Sequence, residues 1–152
     1  MPPVADAPVA PGAQGLLAGV DPTDPTAVAA VFARDSWTFD TAVVPSEAAA
    51  EARLTGLMTP FLAAEIAPSG QTLPATTFSL WQAHHATTTA QVVQTHDSGA
   101  PQDTATTAYR SFAVTVTPHA GNGWVGTAFL DIEFLTLSRP GPGGAWRVAQ
   151  VS

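Results

Sequence analysis

One stretch, Asp24 to Thr41 (DPTAVAAVFARDSWTFDT), constrains this chain more than any other. Asp24 is placed to cap a helix with its carboxylate, and Pro25 suits the first helical position, where its missing N–H costs nothing. Val28, Val31, Phe32 and Phe39 then recur at helical spacing on one face. Ala30, Ala33 and Trp37 widen the apolar stripe, while Arg34 and Asp35 fall where solvent is expected to reach them. A helix with so broad an apolar face needs a surface to cover.

The chain downstream supplies that surface. Ser46 and Glu47 open a second helix after Pro45, carried by Ala48, Ala49, Ala50, Ala52 and Leu54 and ended at Gly56. Thr59-Pro60 repeats the cap-then-proline signal for a short helix, Phe61 to Ile66, and residues 69–74 read as a loop. After Thr76 the period turns from helical to alternating. Residues 84–96 are rich in Thr and Val and predict a strand. Residues 107–117 alternate, with Phe112, Val114 and Val116 on one face. Gly121-Asn122-Gly123 signals a hairpin into residues 124–137. There Trp124, Ala128, Leu130, Ile132 and Phe134 form the expected inner face, with Asp131 and Glu133 opposite. Arg139 to Gly144 is a turn, and Ala145 to Val151 is a closing strand. Helices followed by an antiparallel meander give an α+β fold, with one long and two short helices packed on a curved sheet of about four strands.

Composition narrows the function. The chain has 152 residues, the length of one domain, and is 45% hydrophobic but only 11% charged. Its net charge is −7 and its five basic residues are scattered arginines, a surface that repels phosphate, so no nucleic-acid partner is expected. The absence of cysteine excludes disulfides, thiolate metal sites and a cysteine nucleophile. Residues 1–20 are rich in Pro, Ala and Gly and read as a flexible linker ahead of a single domain at 21–152; they lack the basic start and apolar run of a signal peptide.

The order of helices and a meander ending in a Trp-containing strand (GAWRVAQVS) resembles the cystatin-like superfamily typified by nuclear transport factor two. Within it, VAAVFARDSWTFDTA and LTGLMTPFLAAEIA are similar to the extracytoplasmic domains of actinobacterial conjugation proteins, the assembly factors of type IV secretion. Trp37 and Phe39 before Asp40-Thr41, the Thr59-Pro60-Phe61-Leu62 helix start, Trp81 and Trp146-Arg147-Val148 carry the likeness. The resemblance implies a non-enzymatic domain that associates with itself, as a dimer or trimer, and with other transfer-channel proteins. It also implies a membrane anchor upstream of the linker, placing the domain on the extracytoplasmic face; if Met1 is the native start, the domain is cytoplasmic. Related domains accompany lipid importers.

Candidate chemistry is sparse. Gly121, Gly123 and Gly126 match a dinucleotide fingerprint but lead into a strand rather than a helix, so turn chemistry explains them and no cofactor is expected. His84 and His85 are neighbours that a strand would point to opposite faces, so no metal site is expected. The resemblance offers one alternative: isomerases and dehydratases of the superfamily use a pocket between helix and sheet, where Asp40, Tyr109 and Asp131 are the candidates for a small-molecule site. For an interface the candidates are Trp124, Asp131 and Glu133, the two carboxylates facing solvent or a partner. Strands of Ala, Thr and Val with little charge invite pairing at an open edge.

Overall fold

Asp24 does cap the first helix: its Oδ1 accepts from the backbone N–H groups of Thr26 (2.9 Å) and Ala27 (3.3 Å), with Pro25 in the first turn. A computed structural model describes residues 20–66 and 73–152. Apart from Val20, and from the last two residues of the 69–74 loop, the expected linker and loop lie outside the described residues.

Helix α1 spans Pro25–Asp35, shorter than the predicted stretch. Every residue from Ala27 to Asp35 is buried, Arg34 and Asp35 included, contrary to the expectation that solvent reaches them. Instead, Arg34 Nε and Asp35 Oδ1 pair at 2.7 Å, and the Arg53 guanidinium donates to the carbonyls of Asp35 (2.8 Å) and Thr38 (3.2 Å). A cation on the last carbonyls of a helix satisfies acceptors that have no partner within it. The chain then turns through Ser36–Thr38, and Phe39 and Asp40 run extended beside the sheet.

Helix α2 is Glu47–Ala52, capped by Ser46 Oγ accepting from Ala49 N. A 3-10 turn at Thr55–Leu57 follows, so Gly56 sits within that turn rather than ending the helix. Helix α3 is Pro60–Ile66. A fourth helix, α4 at Ala75–Ala83, occupies a region expected to be alternating. Phe78 and Trp81, three residues apart, face inward from it and hold a Thr-containing segment in a helix its propensity disfavours. It closes with the two hydrogen bonds of a Schellman motif, Ala86 N to Trp81 O and His85 N to Gln82 O. His85 takes the left-handed conformation there, φ 53°, usually given to glycine. His84 and His85 therefore precede the strand, and His84 stacks on Trp124 at 3.9 Å between ring centroids.

The strands are β1 Thr87–Thr95, β2 Thr107–His119, β3 Phe129–Ser138 and β4 Arg147–Val151. They form an open antiparallel sheet in the order β1-β2-β3-β4. Helix α1 crosses the inner face and touches all four strands. Phe32 and Val28 of the helix meet Phe112, Val114, Val116, Leu135, Leu137 and Val148 of the sheet, all fully buried. Phe39, Phe78, Trp81, Phe129 and Trp37 extend this core as a chain of ring contacts 5.2 to 6.4 Å apart.

The facing of β3 is the reverse of the sequence expectation. Val114 lies opposite Asp131, Phe112 opposite Glu133 and Arg110 opposite Leu135, and directly paired residues share a face. Asp131 and Glu133 thus point toward the core, and Leu130, Ile132 and Phe134 point away. The turn at Gly121–Gly123 is present, with Gly123 at φ 93°, but β3 begins only at Phe129, so Trp124 does not set its phase.

Candidate functional site

The inward turn of β3 builds a buried carboxyl cluster. Glu133 is 7% exposed, and its Oε2 accepts from the Trp37 indole Nε1 at 2.8 Å. Its Oε1 is buried and has no hydrogen-bond partner among the described residues. Burial raises the Glu133 pKa to about 8; the Trp37 bond opposes this, while the carboxylates of Asp131 and Glu51 add to it. Glu51 is pushed up to about 7, again by burial first and then by Glu47 and Asp131. Glu47 is itself buried and accepts the Leu73 N–H at 3.0 Å. Burial and the neighbouring carboxylates thus both favour the protonated form of Glu133.

Acids tuned to neutral pH belong to general acid–base chemistry only when a reacting group reaches them. Two clefts, of about 490 and 370 Å³, lie elsewhere, and neither is lined by Trp37, Glu51, Asp131 or Glu133. Among the described residues no group of His, Asp and Glu is arranged to hold a metal ion.

The three pocket candidates do not converge. Asp40 bridges Thr87, which lies opposite His119 at one end of β2. Tyr109 is ten residues along the same strand, roughly 30 Å away at ~3.3 Å per residue. It lies on the outer face, while Asp131 lies on the inner. Tyr109 lines the larger cleft with His96, Asp97, Pro101 and Phe134, where β1 leaves the sheet and residues 96–106 fold back. Several polar groups at that cleft are already partnered: Arg110 with Asp103 (2.8 Å) and Thr26 (2.8 Å), Thr95 with Ser111 (2.7 Å). Of the interface candidates, Glu133 is buried, Asp131 is half-buried on the inner face, and Trp124 is half-buried against His84.

What the outer face carries instead is apolar. Val93 is 65% exposed, Leu130 62%, Phe134 45% and Ile132 44%. The register aligns them in rows across three strands: Val93, Ala113 and Ile132; Gln91, Thr115 and Leu130; Thr95, Ser111 and Phe134. No residue in these rows bears a charge, in a chain whose net charge is −7. The four large side chains expose roughly 400 Å² of apolar surface, within the size range of patches that are often functional. Sequence reasoning missed this surface by turning β3 over. The signal was present, because Leu135 and Leu137 share the phase of Asp131 and Glu133.

Comparison with known proteins returns no match, whether to a family model, a curated protein or a solved structure. What the molecule itself defines is an α+β domain with a buried helix across an open four-stranded antiparallel sheet.

Proposed function

We propose that this chain is a non-enzymatic assembly domain that works by self-association and by docking other subunits. The observation that carries the reading is the set of uncharged, apolar-rich rows on the outer face of β1, β2 and β3. A broad apolar face is retained against its solubility cost when a partner covers it. The resemblance to cystatin-like extracytoplasmic domains of conjugation proteins supplies the setting: a transfer-channel component held at the membrane by an anchor upstream of the linker. The dense packing between α1 and the sheet supports the non-enzymatic part, since Phe32, Phe112, Val114 and Leu135 fill that space. The small-molecule reading retains the cleft beside Tyr109.

Sedimentation equilibrium tests the proposal. The protein is expected to associate with rising concentration, and Ile132→Asp is expected to weaken that association while leaving the thermal transition near its original temperature. Ile132 is half-exposed, so the substitution removes little core packing. Association that is unchanged in Ile132→Asp, or a monomer at every concentration, would sink the reading.

A further inference from the structure

The two edges of the sheet are managed differently. At β4 the strand is five residues long, a register shift interrupts its pairing with β3, and Met58 and Thr59 cover its outer side, with Thr59 N bonded to Val148 O. Shortness, irregularity and cover are the usual protections of an edge. At β1, among the described residues, all three are missing beyond the first residues. Its nine residues, TTTAQVVQT, contain no proline and no charge, and its register with β2 runs unbroken from Thr87 to Thr95.

The hydrogen-bond phase fixes which groups β1 leaves open. Thr88 N donates outward to Phe39 O, and Thr41 N donates to Ala86 O, so the start of the edge is covered by the chain after α1. In an antiparallel strand the outward groups recur every second residue. Ala90, Val92 and Gln94 therefore present their N–H and C=O groups at the open edge, beyond the reach of Phe39–Thr41. Among the described residues none of these groups has a backbone or side-chain partner.

We infer that β1 is a β-augmentation site whose partner is β1 of a second copy, paired antiparallel with Val92 opposite Val92 of the other protomer. This rests on the self-association proposed above and names its geometry. The open window runs from Ala90 to Gln94, and Val92 is its centre. A twofold axis there sets Ala90 against Gln94, and Ala90, Val92 and Gln94 each give and receive one bond. No other register uses the whole window, and a symmetric pairing is the form a homodimer takes. Charge selects the same place: two copies at −7 each repel, and this window brings no charged side chain of one strand onto the other. The pairing also sets Gln91 beside Val93 of the partner, so the apolar outer faces become one surface of twice the width. Edge pairing alone buries less than a standard interface, which sets the expected dissociation constant on the order of 100 µM.

The test is hydrogen exchange followed residue by residue on the intact chain between ~20 µM and ~1 mM, around that expected constant. The Ala90, Val92 and Gln94 amides are expected to slow about threefold to fourfold across that range, while those of Gln91 and Val93, already bonded to β2, stay constant. Val92→Pro removes one outward N–H and no internal ladder bond, a position where an edge strand tolerates proline. It is expected to weaken dimerisation at least tenfold. Exchange at Ala90, Val92 and Gln94 that ignores concentration overturns the inference whether or not the proline variant folds. Dimerisation lost in Ile132→Asp but kept in Val92→Pro would overturn the edge geometry and leave the assembly reading intact. Protection appearing only when a free peptide is added would name a different partner and also overturn it.

Discussion

Glu133→Gln separates what burial of this acid costs from what its hydrogen bond contributes. The folded pKa is about 8, against an ordinary value of 4.5. Between those pH values the folded state holds a proton that the unfolded state has released. Stability then falls as pH rises, by up to ~1.4 kcal/mol per unit, and the loss is complete above the folded pKa. Across the window this amounts to on the order of several kcal/mol, with Glu51, pushed to about 7, acting in the same direction. Glutamine keeps an oxygen to accept from Trp37 Nε1 and carries no proton to lose. Urea denaturation followed by tryptophan fluorescence from pH 5 to pH 9 is the assay. The original protein is expected to lose stability steadily above about pH 5. The variant should come close to it near pH 5, exceed it at pH 9 by on the order of 3 kcal/mol, and show a shallower profile whose remaining slope below about pH 7 comes from Glu51. A flat profile for the original protein, or an equally steep one for the variant, would refute the reasoning.

Two further substitutions test the local structure. His85→Gly removes a left-handed non-glycine residue from the end of α4 and should raise stability by ~0.5–1 kcal/mol, seen as a melting temperature higher by roughly 1–4 °C. Thr88→Val keeps the shape but deletes the hydroxyl that donates to Trp37 O and accepts from Phe39 N; chemical denaturation should show a loss of ~1–3 kcal/mol, because both backbone groups are buried.

Local signals in the sequence determined much of the frame. Asp24-Pro25 starts α1, Thr59-Pro60 starts α3, and the alternation of Phe112, Val114 and Val116 places β2 and its inner face. Each depends on groups within a few residues of one another, so they hold before any tertiary contact forms. Helix α4 was not legible, because its Thr residues disfavour a helix and only the docking of Phe78 and Trp81 against Phe39 and Phe129 decides for one. The end of α1 is not legible in the sequence for a related reason. Trp37 and Phe39 fit a helical stripe, yet Phe39 is held extended by its bonds to Thr88, 49 residues away in sequence. The facing of β3 was decided last. Its two faces are both largely apolar, so hydrophobicity alone left the strand free to turn either way. Pairing with β2 settled it, placing Leu135 and Leu137 in the core and taking Asp131 and Glu133 in with them. The cost of burying a carboxyl is reduced by its proton and by the Trp37 indole, which meets it across 96 residues of chain. A strand's period is written in its sequence; which side of it meets water is a property of its neighbours.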